Sequence, residues 1–242
     1  MVPFPTNVAA LHGLGVPPDR LERLSVALRL PPWRPGSPAG EGFGASVLLL
    51  VGDIDAVEAP DFWQRPYGAW IEVAGLSDAQ IVEAARRAAR TDLFVHVTTA
   101  TANRLHLAGR ILNGLAALQP LPDAQRDDME LALHEAISNA VVHGNLQVEG
   151  MKGLSVEALE RFSHDLAARL ADPAFAGRRI EVAAWLENAA AVVEVADEGT
   201  GFDRPERIDY GAAGRGLDLI AAIAEEIQLL DGGRRIRMRF PL

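Results

Sequence analysis

The order in which helical and strand patterns follow one another is the feature that most constrains the fold of this chain. After a strand pattern at 93–97, helical patterns come first, over 101–118, 123–143 and 156–170. Antiparallel strand patterns come later, over 180–186, 190–196, 227–230 and 234–240, with one helical pattern at 216–226 between them. Helices grouped apart from antiparallel strands are typical of an α+β fold. We therefore predict a two-layer α/β sandwich over residues 91–242.

The first ninety residues show a different pattern, which predicts a small α/β domain of its own. Strand patterns at 46–51 and 68–73 accompany helical patterns at 19–30 and at 78–90, the second of which is capped by Ser77. The acidic corner Gly52-Asp53-Ile54-Asp55 is similar to that of a response-regulator receiver, but a working receiver also needs a lysine. None occurs before Lys152. A degenerate receiver-like domain and an unrelated regulatory or dimerisation domain both remain open.

The composition excludes several classes of function. The chain has no cysteine, which excludes disulfides, thiol catalysis and cysteine-ligated metals. Lys152 is the only lysine, so there is no phosphate loop of the Gly-x-x-x-x-Gly-Lys type. Any nucleotide phosphates must therefore be held by backbone amides, Mg²⁺ and arginine. The net charge of -10 argues against direct binding to nucleic acid, because a phosphate backbone requires a basic surface.

No segment predicts export or membrane insertion. The start Met-Val-Pro-Phe-Pro lacks a signal-peptide pattern, and the longest apolar run, at 45–51, is far shorter than the ~20 residues of a membrane span. We expect a cytoplasmic protein without a membrane partner. The basic residues Arg234, Arg235, Arg237 and Arg239 alternate as on one face of an edge strand, which we interpret as a solvated face.

The first candidate site element lies on the long helix predicted at 123–143. Glu135, Asn139 and His143 are spaced i, i+4, i+8, which places them on one face of a helix whose intervening residues are small or apolar. An amide oxygen is a ligand suited to Mg²⁺, and a carboxylate one turn away can orient or deprotonate a nucleophile. Taken alone, this element could also be a half-exposed helix whose polar stripe faces water.

The second candidate element begins where the strand pattern at 190–196 ends. Asp197 stands at this point, where its carboxylate can accept a hydrogen bond from an exocyclic amine such as that of adenine. Gly199 and Gly201 flank Thr200 and allow the backbone to turn tightly against a planar base. Taken alone, this could equally be an ordinary turn after a strand.

The third candidate element is Gly214-Arg215-Gly216-Leu217, which opens the helical pattern that follows. Glycines at a helix start let amide N–H groups approach phosphates, and a helix N-terminus favours negative charge. Arg215 is placed to contact a terminal phosphate. A Gly-x-Gly before a helix is a weak signal without the other two elements.

Together, the three elements resemble the GHKL (Bergerat-fold) ATPases, which include gyrase, a heat-shock chaperone, histidine kinases and mismatch-repair ATPases. The Glu135/Asn139 helix is similar to the N box of that family, Asp197–Gly201 to its first glycine box, and Gly214–Leu217 to its second. The resemblance covers about residues 92–242. The string HEAISNAVVHGN at 134–145 is most similar to the anti-sigma-factor serine kinases. Gly214 follows Gly201 by thirteen positions, which implies a short ATP lid, as in the same kinases.

This resemblance implies ATP and Mg²⁺ as cofactors. Asn139 would bind Mg²⁺, Glu135 would act as base on the incoming hydroxyl, and Asp197 would read adenine. The other positions of the three boxes would shape the contacts with base and phosphates; these are His143, Gly199, Gly201, Gly214, Arg215, Gly216 and Leu217.

The resemblance further implies a serine/threonine protein kinase that acts on an antagonist or switch protein and so controls a sigma factor. Homodimers are usual in the family. Two alternatives of other classes remain open at this point. One is a non-catalytic, nucleotide-responsive adaptor, and the other is a histidine-kinase-like catalytic domain whose acceptor is in a separate chain.

Two departures from the family pattern are visible in the sequence. The family often places a threonine beside adenine in the last hairpin, where this chain has Arg234-Arg235 after Gly232-Gly233. The segment 146–179 is also longer than a minimal kinase needs, which suggests an insert that binds a partner.

Overall fold

The computed structural model describes residues 7–35, 46–150, 153, 155–202 and 215–242. The chain forms two compact units that are not contiguous in sequence. The first comprises Met1–Val97, Asn113–Pro120 and Ala183–Trp185, and the second comprises Thr98–Leu112, Leu121–Val182 and Leu186–Leu242.

The first unit contains parallel strands with helical connections. Its elements are β1 (Val8–Leu14), α1 (Pro18–Leu28), β2 (Ser46–Val51), β3 (Tyr67–Glu72), α2 (Asp78–Ala88) and β4 (Leu93–Thr98), whose last residue belongs to the second unit. Neighbouring strands run parallel in the order β1-β2-β3-β4. Receivers have the order 2-1-3-4-5, so this topology gives the receiver-like alternative no support.

The predicted strands and the helix cap of this unit are confirmed. Strand β2 is buried along its whole length, as expected for a continuous apolar run in a parallel sheet. Helix α2 begins with a capping box, in which Ser77 Oγ accepts from the Gln80 N–H and Gln80 Oε1 accepts from the Ser77 N–H. Strand β1 was not predicted from the sequence.

The second unit combines helices with antiparallel strands. Its helices are α3 (Thr99–Arg104), α4 (Leu107–Leu118, of which the part from Asn113 belongs to the first unit), α5 (Asp123–Asn139), α6 (Val156–Ala171), α7 (Pro173–Ala176) and α8 (Arg215–Ile223). Its strands are β5 (Arg179–Glu187), β6 (Ala190–Ala196), β7 (Glu226–Leu230) and β8 (Arg235–Pro241), in the order β5-β6-β8-β7. The predicted α+β fold class is confirmed.

The register of β6 and β8 separates an apolar face of the sheet from a charged one. Val193 lies opposite Met238, and both side chains are buried. Glu194 lies opposite Arg237 on the other face, because successive side chains of a strand alternate in direction. The apolar face supplies core contacts, and the charged face carries the ion pairs.

The placement of the arginine run on an edge strand is wrong, although Arg234 is exposed and the side chain of Arg237 is 41% exposed. Strand β8 lies between β6 and β7 and pairs with both. Its arginines therefore meet carboxylates of neighbouring strands: Arg235 Nη1 lies 3.0 Å from Glu194 Oε2, and Arg237 Nη2 lies 2.6 Å from Glu194 Oε1. Arg239 pairs with Glu225 at 2.6 Å. Alternation in the sequence shows a face, but it does not show which strands lie beside it.

Two predicted helices have different bounds in the structure. The pattern at 101–118 divides into α3 and α4, because Leu105 takes an extended conformation with ψ of 136°. Leu105 and Leu107 are both buried, and positions i and i+2 of one continuous helix could not face the same core. Helix α8 ends at Ile223, and Glu226 already belongs to β7.

Helix α6 within the predicted insert is confirmed, and Asp172-Pro173 ends it as expected. Of its side chains, Ala158 is buried, while Leu159 on the predicted apolar stripe is 53% exposed. Among the described residues, no helix combines the length and the apolar character that crossing a membrane requires.

Candidate functional site

Helix α5 brings the first two predicted site residues together. Glu135 and Asn139 are half-buried and one turn apart, and Asn139 Nδ2 donates to Glu135 Oε1 at 3.0 Å. This hydrogen bond uses the amide nitrogen of Asn139 and leaves its oxygen Oδ1 as the atom able to ligate a cation. The pair has the arrangement that the N-box prediction requires.

His143 does not continue this stripe, because the helix changes geometry after Asn139. Residues Ala140–Asn145 form a π-helix, whose wider turn breaks the 3.6-residue period on which the prediction rested. His143 is exposed, and its Nδ1 lies 2.8 Å from the carbonyl oxygen of Val148. The structure therefore attaches His143 to the loop after the helix, and its role at a nucleotide remains a prediction.

Asp197 lies directly against the end of the π-helix. A methyl group added at Gly144 would come within 2.5 Å of Asp197 Cγ, so only a glycine fits there without a shift. The Asp197 N–H donates to the Arg234 carbonyl at 2.9 Å, and its Oδ1 accepts from the Gly199 N–H at 2.7 Å. The structure thus brings the predicted N box and first glycine box together.

The surroundings of Asp197 act on its carboxylate in opposite directions. Burial raises the pKa of Asp197, because a low-dielectric environment disfavours the charged form. The Gly199 N–H and the positive charges of Arg234 and Arg178 oppose this shift, whereas the charge of Glu198 adds to it. Arg234, which stands near the family's usual threonine position, therefore contributes positive charge beside the candidate base-reading group.

The glycines of the first glycine box allow close backbone contacts. A Cβ at Gly199 would overlap the carbonyl oxygen of Gly144, and one at Gly201 would overlap that of Gly232. Gly201 also has a φ of +74°, a conformation that other residues adopt only with strain. The box is thereby packed between the N-box end and the turn of the last hairpin.

The start of α8 lies beside the Glu135–Asn139 pair. A Cβ at Gly216 would overlap Glu135 Oε1, so the helix start approaches the carboxylate at a distance that only glycine permits. Leu217 is half-buried on the first turn. Arg215 begins the helix, but its side chain, like the whole of Gly214, lies outside the described residues.

Asn145 and Arg178 were missed as site residues by the sequence analysis. Asn145 is fully buried, its Oδ1 accepts from the Glu198 N–H at 2.7 Å, and its carbonyl accepts from Arg178 Nη1 at 2.7 Å. Asn145 is the last residue of the string HEAISNAVVHGN at 134–145, yet it is not among the predicted site residues. The partners of both residues are distant in the sequence and could not be foreseen from it.

The donor set around α5 fits a magnesium ion that is held mainly by a substrate. Within the described part of the chain, no three His, Asp or Glu side chains gather into a metal site. Mg²⁺ is commonly held by one or two protein groups together with substrate phosphates and water. The Asn139 oxygen, next to Glu135 and the start of α8, is a donor of this kind.

Comparison with known families agrees with this geometry. The model of the histidine kinase-like ATPase domain family matches residues 98–240, more than half of the chain. The chain therefore belongs to this family, and the predicted GHKL-type ATPase is confirmed. The match includes the N-box pair, the glycine boxes and the last hairpin, and it supports an ATP-binding regulatory function. A search of curated proteins gives no match.

Proposed function

We propose that this protein is a regulatory serine/threonine kinase of the anti-sigma-factor type, which phosphorylates an antagonist or switch protein with ATP as donor. The observation that carries the proposal is the Asn139–Glu135 pair, joined at 3.0 Å and lying against the start of α8. A metal-binding amide oxygen, a carboxylate base and a helix N-terminus are the groups that phosphoryl transfer needs in one place.

At the base end of the site, Asp197 would accept a hydrogen bond from the exocyclic amine of adenine. This requires an ionised carboxylate, which Arg234, Arg178 and the Gly199 N–H favour against the effect of burial. Close packing of Gly144 and Gly199 leaves no room for a side chain beside this carboxylate. The planar base can then approach the backbone of the glycine box.

At the phosphate end, Asn139 Oδ1 would hold Mg²⁺, which when bound neutralises charge on the phosphates. The first turn of α8 would direct backbone N–H groups at the phosphates. Glu135 would accept the proton of the incoming serine or threonine hydroxyl as its oxygen bonds to the γ-phosphorus. The bond from that phosphorus to the bridging oxygen breaks, and ADP leaves with the electron pair.

The proposed partner is a regulatory protein that presents the hydroxyl. The segment 146–179 is proposed as its contact, supported by the exposure of Leu159 and Val156 on α6. This surface belongs to the same unit as the candidate nucleotide site.

Calorimetric titration with ATP and ADP in the presence of Mg²⁺ tests the first step. We expect micromolar binding by the wild type, lost in Asp197→Asn and kept in Asp165→Asn, which changes an exposed carboxylate of α6. Absence of binding by the wild type would overturn the proposal.

Labelling with γ-phosphate-labelled ATP tests the transfer step in an extract of the source cells. Glu135→Gln should bind ATP but transfer no label, while Glu22→Gln, an exposed control on α1, should behave as the wild type. Acid-stable label on serine or threonine supports the proposal. Acid-labile label would indicate a histidine acceptor, and binding without transfer would indicate an adaptor.

A further inference from the structure

We infer that Asn145 is a positioning residue of the nucleotide site, which aims the Asp197 carboxylate without itself touching the base. This inference rests on the proposed nucleotide function, because it assigns Asn145 a task within that site. It goes beyond the three sequence boxes, since none of the predicted site positions includes Asn145.

Both N–H donors and the oxygen of the Asn145 side chain are hydrogen-bonded. Its Nδ2 donates to Thr99 Oγ1 at 2.8 Å and to the Arg179 carbonyl at 2.9 Å, and its Oδ1 accepts from the Glu198 N–H at 2.7 Å. The residue is 0% exposed, so bulk water does not compete for these hydrogen bonds. One buried amide therefore joins the start of α3, the start of β5 and the first glycine box.

These contacts fix the backbone on both sides of the Asp197 α-carbon. On one side, the Asp197 N–H donates to the Arg234 carbonyl at 2.9 Å. On the other side, the Glu198 N–H donates to Asn145. With both peptide units held, the direction of the Asp197 Cα–Cβ bond, from which the carboxylate extends, is fixed by the backbone.

Glu198 is held a second time, which makes the arrangement specific. Its Oε2 accepts from the Arg179 N–H at 2.8 Å, so its backbone and its side chain are both attached near the start of β5. The neighbour of Asn145, Gly144, packs against the Asp197 carboxylate itself. A shift of the π-helix end would therefore displace both Asn145, which holds the Glu198 backbone, and Gly144, which packs against the Asp197 carboxylate.

Arg178 adds a third link from the end of the 146–179 segment. Its Nη1 donates to the Asn145 carbonyl at 2.7 Å, and its positive charge opposes the burial that raises the pKa of Asp197. The guanidinium also lies 4.6 Å from the centre of the Phe175 ring, whose other cationic neighbour is Arg169 of α6 at 4.0 Å. Asn145 is thus the point where the N-box end, the glycine box and this segment are tied together.

The test compares two variants of the same buried cluster. Asn145→Ala removes the acceptor of the Glu198 N–H, whereas Thr99→Val removes a hydroxyl at the other end and keeps that acceptor. Both are expected to lower thermal stability. The distinguishing measurement is the ratio of the Kd for ITP, which lacks the exocyclic amine, to the Kd for ATP, both with Mg²⁺ and below the unfolding temperature.

We expect Asn145→Ala to lower this ratio about tenfold relative to the wild type, the size of effect when a buried group loses its partner. Thr99→Val should keep the wild-type ratio within about twofold. Equal ratios in all three proteins would overturn the inference. If Asn145→Ala does not fold, Asn145→Leu removes the same acceptor of the Glu198 N–H while filling the space of the amide. An unchanged ratio in that variant overturns the inference as well.

Amide hydrogen exchange on the unliganded protein separates this inference from the proposed function. Asn145→Ala should increase exchange in the 197–200 segment, and Thr99→Val should not. A wild type that binds neither nucleotide, with this exchange pattern present, would refute the nucleotide function but retain the positioning of Asp197. Unchanged exchange in Asn145→Ala would refute the positioning itself.

Discussion

At the scale of single residues, the Asp197 carboxylate that we propose for adenine binding also lowers the stability of the unliganded protein. Its carboxylate is favoured by nearby N–H groups and arginines, yet burial is the largest influence and raises its pKa. A carboxyl whose folded pKa is raised stabilises the fold below its ordinary pKa and loses that contribution as the pH rises through the folded value. At neutral pH, the ionised carboxylate therefore slightly lowers the free energy of unfolding of the unliganded protein.

Asp197→Asn is accordingly expected to stabilise the unliganded protein at pH 7, by about 0.5 kcal/mol because the group is only partly buried and screened by water. The asparagine oxygen can still accept from the Gly199 N–H. The gain should vanish as the pH falls through the raised pKa of Asp197, where the wild type is also neutral. Urea unfolding at several pH values measures this, with Asp165→Asn as control. A gain that persists in acid would contradict the explanation.

Gly201 offers a second residue-scale test, since its φ is positive and its α-carbon lies against the Gly232 carbonyl. Gly201→Ala should destabilise the protein by about 2 kcal/mol or more, through both strain and overlap. Gly232→Ala is the matched control, because φ there is +66° but no atom lies within 4 Å of the added methyl. It should cost about 1 kcal/mol. Equal shifts of the urea midpoint in both variants would show that overlap contributes nothing.

The residues that sequence could identify are those whose task depends on local backbone geometry. The glycines of the first box and the Glu135/Asn139 spacing can be recognised from a few neighbouring positions, because a turn or a helix face is a local feature. Asn145 and Arg178 act through partners tens of positions away, so their role depends on the assembled fold.

At the scale of elements, strand β8 shows that the environment of alternating side chains depends on which strands lie beside them. Arg235 reaches Glu194 and Asp231, each at 3.0 Å, while Arg237 reaches Glu194. Glu194 is buried, so the loss of its arginine partners would leave a carboxylate that is neither paired nor well hydrated. These ion pairs are therefore expected to contribute to stability. A solvated face would make no such contribution.

Glu194→Gln tests this account of β8. Glu194 is 9% exposed and bonded to two arginines, so removal of its charge should cost about 1–3 kcal/mol. Glu226→Gln, on the exposed side of β7, is the matched control and should cost no more than about 0.5 kcal/mol. Urea unfolding of both variants gives the comparison. Similar losses in the two would mean that the β8 arginines behave as surface charges.

The helices were predictable where a single period holds and not where it changes. Helix α5 follows its 3.6-residue pattern up to Asn139, and the capping signal of α2 lies at the expected Ser77. The π-helix at Ala140–Asn145 and the break at Leu105 are not indicated by any nearby residue in the sequence. Both changes depend on contacts with segments that are distant in the sequence.

At the scale of the whole molecule, the family match and the second unit begin at the same residue, Thr98. The change of sequence pattern predicts a domain boundary at 90/91, and that boundary remains a prediction. Composition and pattern are read along the chain, whereas the compact units combine separate segments. The assignment of Asn113–Pro120 and Ala183–Trp185 to the first unit therefore had no sequence signal.

Hydrogen exchange with and without Mg²⁺ and ATP tests this division in the full chain. A ligand that binds the native site suppresses only those openings that disrupt the site, by up to about 2.7 kcal/mol at a hundred times its Kd. Protection should therefore increase in 135–145, 197–202 and 215–223, and stay unchanged in β1, β2 and β3. Asp197→Asn under the same conditions is the control and should show no increase. Equal increases in β1–β3 would mean that the chain opens as one cooperative body, because ligand binding would then stabilise both units together.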